Sequence, residues 1–473
     1  MKHRCVFVFL LLSTAIFGQK HDYFQFFGYS SNTQLWGGAT INFHHNPPAI
    51  YPEHKNMNFG LYCGICSDSS GVLAFYTNGI AIRDATHHIM AGGDTINPGP
   101  VWNQWHDDRY PNGPFCFGLP APGQFNRYYF FHMGSTFTPV LSTSPFYFTL
   151  IDMEGNGGLG TVIKKNQVLL PIYTDYTAPV AVKHGNGRDW WVITGEVGKP
   201  INHRFLLNES GVHGPYTDTM PYFFQGVDYQ SVNAMSPDGS VYVRGAGTLG
   251  FYVFDFDRCT GQLYNLRAVP FANDDFLCFA TVFAPDSRHL YVSSLETVTV
   301  VDVMAQDISG SLDTVVYFDG NASPQLPFVT GFFNPNLAPD GKIYYSTTSS
   351  TLALHIINHP NLPGPAADFE QHGIALPKYN NGTMCLYPHY RLGEWESSPC
   401  DTINGQKPGD GFMSSAWQDN AIRNLKDYKI LPPLFQKHKT ETQSAPPEAA
   451  PSMIELSIQR RKERYVDEKT KKE

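Results

Sequence analysis

Three stretches of the chain repeat one order of polar and apolar positions. Ser236-Pro237-Asp238-Gly239 leads into the apolar run Val241-Tyr242-Val243 and then into Phe251-Tyr252-Val253-Phe254-Asp255. Ala284-Pro285-Asp286-Ser287 is followed by Leu290-Tyr291-Val292 and by Val298 to Val303. Ala338-Pro339-Asp340-Gly341 is followed by Ile343-Tyr344-Tyr345 and by Leu354 to Ile357. In each, proline and aspartate pre-set a tight turn, and the β-branched and aromatic residues behind it favour an extended strand. The three prolines are 48 and 54 residues apart.

Fainter relatives of this unit lie upstream, at Asp68 to Tyr76, Gln124 to Phe131 and Asn186 to Ile193. Strand centres near residues 73, 129, 191, 242, 291 and 344 are then separated by 56, 62, 51, 49 and 53 residues. A unit of about 50 residues holds four short strands, and so small a sheet cannot bury its faces alone, so copies must pack on one another. The spacing predicts an all-β fold, a seven-bladed β-propeller. Six units are visible, and the seventh closes the ring by pairing the N-terminal strand Thr33 to Phe43 with the C-terminal strand Met384 to Leu392, which removes exposed sheet edges. Two stacked β-sandwiches are the alternative arrangement of the same strands.

Composition agrees with many short strands. Glycine (42), proline (35), tyrosine (26) and phenylalanine (34) are abundant, and 42% apolar against 16% charged residues describes a folded chain rather than a disordered one. A net charge of −9 argues against a nucleic-acid partner, which calls for a basic face. The balance shifts near the C terminus. Residues 401–473 hold 13 basic and 11 acidic side chains, a Pro/Ala stretch at 444–451 and the run RRKER.

At the other end, Lys2, His3 and Arg4 precede an apolar run from Cys5 to about Gly18. That run is shorter than the roughly 18 residues needed to cross a bilayer and reads as a secretory signal peptide. The chain is therefore expected to divide into a signal peptide at 1–18, a β-propeller at 19–402 and a charged, partly helical or disordered tail at 403–473. No other long apolar stretch occurs, so no transmembrane segment is expected, and the mature protein is expected outside the cell or in the envelope, in the periplasm or on the outer surface. Such a place is oxidising. It leaves Cys63, Cys66, Cys116, Cys259, Cys278, Cys385 and Cys400, an odd number, so at least one stays unpaired. Cys63 and Cys66 have C-x-x-C spacing but no visible helix start and no further ligands close by, so they read as structural, with Cys116 and Cys385 as candidate partners. Cys259 and Cys278 form another candidate pair.

Several stretches resemble secreted WD40-like or YVTN-like propeller proteins of Bacteroidetes type, of the sort exported as gliding-motility or type IX secretion cargo. Leu35-Trp36-Gly37-Gly38-Ala39-Thr40-Ile41-Asn42-Phe43 is similar to the family's opening strand. Ser67-Asp68-Ser69-Ser70-Gly71-Val72-Leu73-Ala74-Phe75-Tyr76-Thr77-Asn78-Gly79, with His87 to Met90 behind it, looks like its first full blade. Leu119 to Gly123, Gly157 to Gly160, Lys183 to Trp191 and Tyr390 to Gly393 continue the likeness in order. It covers about residues 30–402 and implies a secreted seven-bladed fold and no established reaction. Such proteins commonly end in a β-rich sorting domain, from which 403–473 departs in composition.

Sequence patterns for common chemistries fail on context. Gly155-Asn156-Gly157-Gly158-Leu159-Gly160 spells G-x-G-x-x-G, but Thr161 to Leu170 behind it is strand-like where a dinucleotide site needs a helix, so a hairpin turn is expected. His44-His45 and His87-His88 are adjacent pairs, and neighbours on a strand point to opposite faces, so neither pair readily clasps one metal. No H-E-x-x-H, G-x-S-x-G or P-loop pattern occurs, and no cofactor or metal is expected. The long connection from Ala91 to Pro114 carries the candidate binding residues Trp102, Trp105, His106, Asp107, Arg109 and Tyr110. Tryptophans can stack on a sugar ring or an apolar side chain while Asp107 and Arg109 give directional bonds; the plainer alternative is that they fold the loop onto its blade.

The expected function is therefore non-enzymatic binding of a protein or glycan at the cell surface or outside the cell. Two alternatives stay open: a hydrolase or lyase with its site in the central channel, and a structural component of an envelope complex.

Overall fold

The computed structural model describes residues 19–400, apart from 112, 114–115, 137–141, 175–178, 225–231, 272–279, 324–327 and 396–399, together with 429–430. Residues 1–18, expected to be a signal peptide, Cys278 and nearly all of 403–473 lie outside the described residues. The described residues all lie in one compact unit.

Seven antiparallel sheets follow one another along the chain. Blade 1 is Phe24–Gly28, Gly38–Asn42 and Ala49–Pro52; blade 2 is Gly64–Ser67, Leu73–Thr77 and Ile82–Asp84. Blade 3 (Cys116–Pro120, Arg127–Thr136, Ser142–Asp152, Thr161–Leu170) and blade 4 (Val180–Lys183, Trp190–Gly195, Ile201–Asn208, Gly211–Thr219) have four strands each. Blade 5 (Ala234–Met235, Val241–Gly245, Gly250–Phe256, Leu263–Pro270), blade 6 (Ala280–Phe283, His289–Ser293, Thr297–Asp302, Asp313–Tyr317) and blade 7 (Phe332–Leu337, Ile343–Thr347, Ser350–Ile357, Phe369–Asn381) complete the set. All six strand centres read from the sequence fall on or beside the second strand of blades 2 to 7. The fold is a seven-bladed β-propeller.

The Val-Tyr-Val pattern follows from blade packing. Both faces of a blade are covered by neighbours, so side chains alternate between two apolar interfaces instead of between core and water. Val241 and Val243 pack with Leu290 and Val292 between blades 5 and 6, while Tyr242 packs with Trp191 between blades 4 and 5. Tyr291 in turn meets Ile343 and Tyr345 between blades 6 and 7, and Tyr344 meets Phe43 between blades 7 and 1. The Pro-Asp turns join the two inner strands of their blades. Asp238 accepts from Ser240 N–H at 3.0 Å, and Gly239 takes φ +74°, a backbone angle that suits glycine.

The ends of the ring meet through side chains and a disulfide bond, not through the expected pairing of Thr33–Phe43 with Met384–Leu392. Gly38–Asn42 is already paired on both sides within blade 1, so it has no free edge for another strand. Instead the Gln25 side-chain amide donates to Cys385 O at 3.2 Å and its oxygen accepts from Cys385 N–H at 3.1 Å, copying one rung of a ladder. Cys63 and Cys385 are bonded with their Cα atoms 5.2 Å apart. Tyr379 N–H also donates to Leu35 O at 3.0 Å. Beyond the ring, Lys429–Ile430 adds in parallel to the outer strand of blade 5 at Arg267 and Ala268.

Candidate functional site

The connection between blades 2 and 3 contains a short helix, α1 (Pro100–Trp105), started by Pro100, whose fixed φ suits a first helical turn. Trp102 Nε1–H donates to Ile80 O at 3.0 Å, and its ring stacks on His106 at 4.9 Å and 17°. Trp102 and Trp105 both pack partly buried against the apolar core between blades 2 and 3. The His106 ring donates through Nδ1–H to Asn103 O at 3.1 Å, and Nε2 lies 3.4 Å from the Asp107 carboxylate, which is 95% exposed. Arg109 forks onto both oxygens of Asp108 at 3.1 Å. Tyr110 is buried; its hydroxyl accepts from Ser135 N–H at 2.7 Å, and its ring meets Tyr62 edge-on. Trp102, Trp105, His106 and Asp107 are thus gathered on α1 and its end, whereas Arg109 and Tyr110 turn towards the blade.

A second feature was not foreseen from the sequence. Residues 383–395 leave blade 7, cross the end of the ring that carries the Pro-Asp turns, and reach blade 5. Tyr390 donates to Gly118 O at 2.6 Å on blade 3, and Arg391 forks onto Asp22 at 2.8 Å. Leu392 packs over Gly239, Trp395 N–H donates to Gly185 O at 2.8 Å, and Arg258 Nη2–H donates to Gly393 O. Cys400 bonds to Cys259, Cα to Cα 5.6 Å. The segment is a strap, with one disulfide at Cys385 near its start and another at Cys400, beyond residue 395. Cys259 therefore pairs with Cys400, 141 residues away, and not with Cys278 as expected, because the strap brings Cys400 to the turn that holds Cys259. Cys66 and Cys116 are buried free thiols, pushed well above their ordinary pKa by burial. The C-x-x-C pair thus divides between one bridge and one thiol.

Under the strap, the inner strands of blades 3 to 7 and Leu386 to His389 line a half-open cavity of about 80 Å³. Phe117, Ala181, Asn233, Thr281, Asn336 and His389 are among its lining. His389 Nε2–H donates to Met235 O at 3.1 Å, and burial pushes its pKa down to about 4, so the ring is neutral near pH 7. The glycine-rich stretch of blade 3 is a hairpin turn, with Asn156–Gly158 joining two antiparallel strands. His44 bonds Gly71 O, His87 meets the Tyr76 hydroxyl and His88 meets the Thr86 hydroxyl. Among the described residues no three of His, Cys, Asp and Glu are grouped to hold a metal ion. Among them, too, no helix is long and apolar enough to cross a membrane.

Lys183 lies below the strap, buried, its Nζ 3.0 Å from Gly187 O and 4.6 Å over the Trp190 ring. Burial, and then the Arg258 charge, push its pKa down to about 8 against the attraction of Asp189. A buried charge held this way adds little stability, so Lys183→Met is expected to leave stability unchanged or raise it by about 1 kcal/mol. A loss above about 2 kcal/mol in a denaturant titration would show that the ammonium is needed.

No protein-family model and no curated protein matches the sequence. Solved structures with a similar course of the chain exist at low identity. A Bacteroides fragilis protein provisionally named a 6-phosphogluconolactonase is 12% identical, with a TM-score of 0.44, over 76% of this chain and 96% of its own. The β-propeller domain of Cps50 (Swd1) from Myceliophteria thermophila is 9% identical, with a TM-score of 0.38, over 67% of this chain and 89% of its own. A functionally unknown protein from Desulfotomaculum acetoxidans is 13% identical, with a TM-score of 0.33, over 76% and 89%.

Proposed function

We propose that this protein is an exported β-propeller that binds a protein or glycan at the cell surface or outside the cell, and that its ligand meets the loops rather than the channel. The observation that carries this reading is the strap. It leaves a channel cavity of about 80 Å³, against the roughly 300–1,000 Å³ of typical small-molecule sites, and the one imidazole lining it is neutral and already bonded. Two disulfide bonds suit an oxidising compartment, as the apolar N-terminal run does. The α1 connection, with Trp102, Trp105, His106, Asp107 and Arg109, is the proposed contact region; Tyr110, expected among these residues, is buried against Tyr62 and is left out of it.

The test uses the mature chain from residue 19, immobilised and offered to a glycan array and to an envelope extract, with retained components identified by mass spectrometry. His106→Ala with Asp107→Ala is expected to weaken capture of the retained component about tenfold, the size of loss seen when residues of the central minority that carries an interface are truncated. Specific capture of nothing, or capture that the double variant leaves unchanged, contradicts the proposed contact region.

A further inference from the structure

Each blade of a propeller ends in an outer strand, and an open strand edge invites another chain to pair with it. Among the described residues, six of the seven outer edges are blunted. Three carry a proline, which has no N–H for a ladder: Ala49–Pro52 in blade 1 ends on Pro52, Gly211–Thr219 in blade 4 holds Pro215, and Phe369–Asn381 in blade 7 holds Pro377. Two are covered by the connection behind blade 2, where Met90 N–H donates to Ile82 O at 2.9 Å and Val162 N–H of blade 3 donates to Ala91 O at 2.8 Å. The outer strand of blade 6, Asp313–Tyr317, lies against Gly364–Ala367, and Gln371 Nε2–H donates to Tyr317 O at 3.0 Å. Blade 5 differs. Its outer strand Leu263–Pro270 has proline only at its last position, and it carries a fifth strand, with Arg267 paired to Lys429 and Ala268 to Ile430 in parallel.

We propose that the outer edge of blade 5 is a docking site for an extended peptide, and that the chain's own segment at Lys429–Ile430 fills it as an exchangeable internal occupant. Recognition runs through main-chain N–H and C=O groups, as in other cases where a peptide adds a strand to a sheet. Two features bring this segment to this edge. Cys400 is bonded to Cys259, which sits in the turn between Gly250–Phe256 and Leu263–Pro270, so the chain beyond Cys400 sets out from the head of the strand it joins. A segment fed from that end runs in the same direction as Leu263–Pro270, and the observed pairing is parallel. In addition, Lys429-Ile430-Leu431 is a run of N–H-bearing residues closed by Pro432 and Pro433, which have none to give. A ladder of two residue pairs holds weakly by itself. The tether supplies the rest, since it keeps the segment at an effective concentration of about a millimolar. An occupant held in this way yields to a free peptide that pairs over more residues. The edge lies on blade 5, whereas α1 joins blades 2 and 3, so the dock does not depend on the contact region proposed there.

Hydrogen exchange read by mass spectrometry tests the dock in the full chain, comparing the wild type with Lys429→Pro/Ile430→Pro, which removes both donors of the segment. The fragment covering 263–270 is expected to exchange about fivefold faster in the double variant, the size of one net hydrogen bond. The fragment covering 241–245, in the same blade, is expected to be unchanged and serves as the control for global opening. A free peptide of residues 427–435, added to the double variant at about 1 mM to match the tethered concentration, is expected to restore the slower rate. Equal exchange in wild type and variant, or no restoration by the peptide, overturns the docking site. Protection in the wild type that is lost on dilution, together with a dimer in light scattering, would place the tail of a second copy on the edge and overturn the internal occupant.

Discussion

Replacing Cys63 and Cys385 together by alanine is expected to lower stability by about 5 kcal/mol, the largest effect of any paired change in the ring. The bond closes a loop between residues 322 apart, and a cross-link removes more freedom from the unfolded chain the longer the loop it closes. Both sulfurs are fully buried between blades 1 and 2, so alanine leaves a void in addition. Locally, the loss also undoes the meeting of the two ends, leaving the Gln25 amide pair to hold Cys385's segment to blade 1. Thermal and guanidinium unfolding of the double variant, compared with the oxidised wild type, measures the effect. A loss under about 1 kcal/mol would mean that the ring is closed by blade packing alone. The corresponding change at Cys259 and Cys400, whose loop spans 141 residues, is expected to cost slightly less and to free the far end of the strap.

Tyr390→Ala is expected to destabilise by about 3–5 kcal/mol, as removal of a wholly buried aromatic does. The ring lies against His21 and Trp190, at 5.0 and 5.9 Å, and its hydroxyl reaches across to blade 3. Tyr390→Phe keeps the ring and removes only the bond to Gly118 O, and is expected to lose about 1 kcal/mol. The pair of variants separates packing from hydrogen bonding in the denaturant midpoint. Proteolysis gives a second readout: the alanine variant is expected to be cut within 383–395 faster than the wild type, and equal cutting rates would show that the strap does not depend on this anchor.

The parts of the fold that were legible in the sequence are those set by neighbours in the chain. A Pro-Asp-Gly turn stores its geometry within four residues, so the turns at 236–239, 284–287 and 338–341 mark their blades without help from the rest of the molecule. The strap was not legible, because nothing local distinguishes Met384 to Leu392 from a strand. Its character comes from partners such as Gln25, Gly118 and Met235, hundreds of residues away. Cysteine pairing failed for the same reason: Cys278 is closer in sequence to Cys259, but the strap delivers Cys400. In the α1 connection, residue types suited to binding were visible, yet their orientation was not. Tyr110 is equally suited to stacking on a ligand or on Tyr62, and only the path of the loop decides between them.

The central claim is a strap that leaves blade 7, crosses one end of the ring and is tied to blade 1 through Cys385 and to the turn of blade 5 through Cys400. Peptide mapping of the oxidised, unreduced protein by mass spectrometry tests it directly. The account predicts Cys63 linked to Cys385 and Cys259 linked to Cys400, with Cys66 and Cys116 alkylated only after the chain is denatured. A Cys63–Cys66 or Cys259–Cys278 peptide as the main product would contradict it.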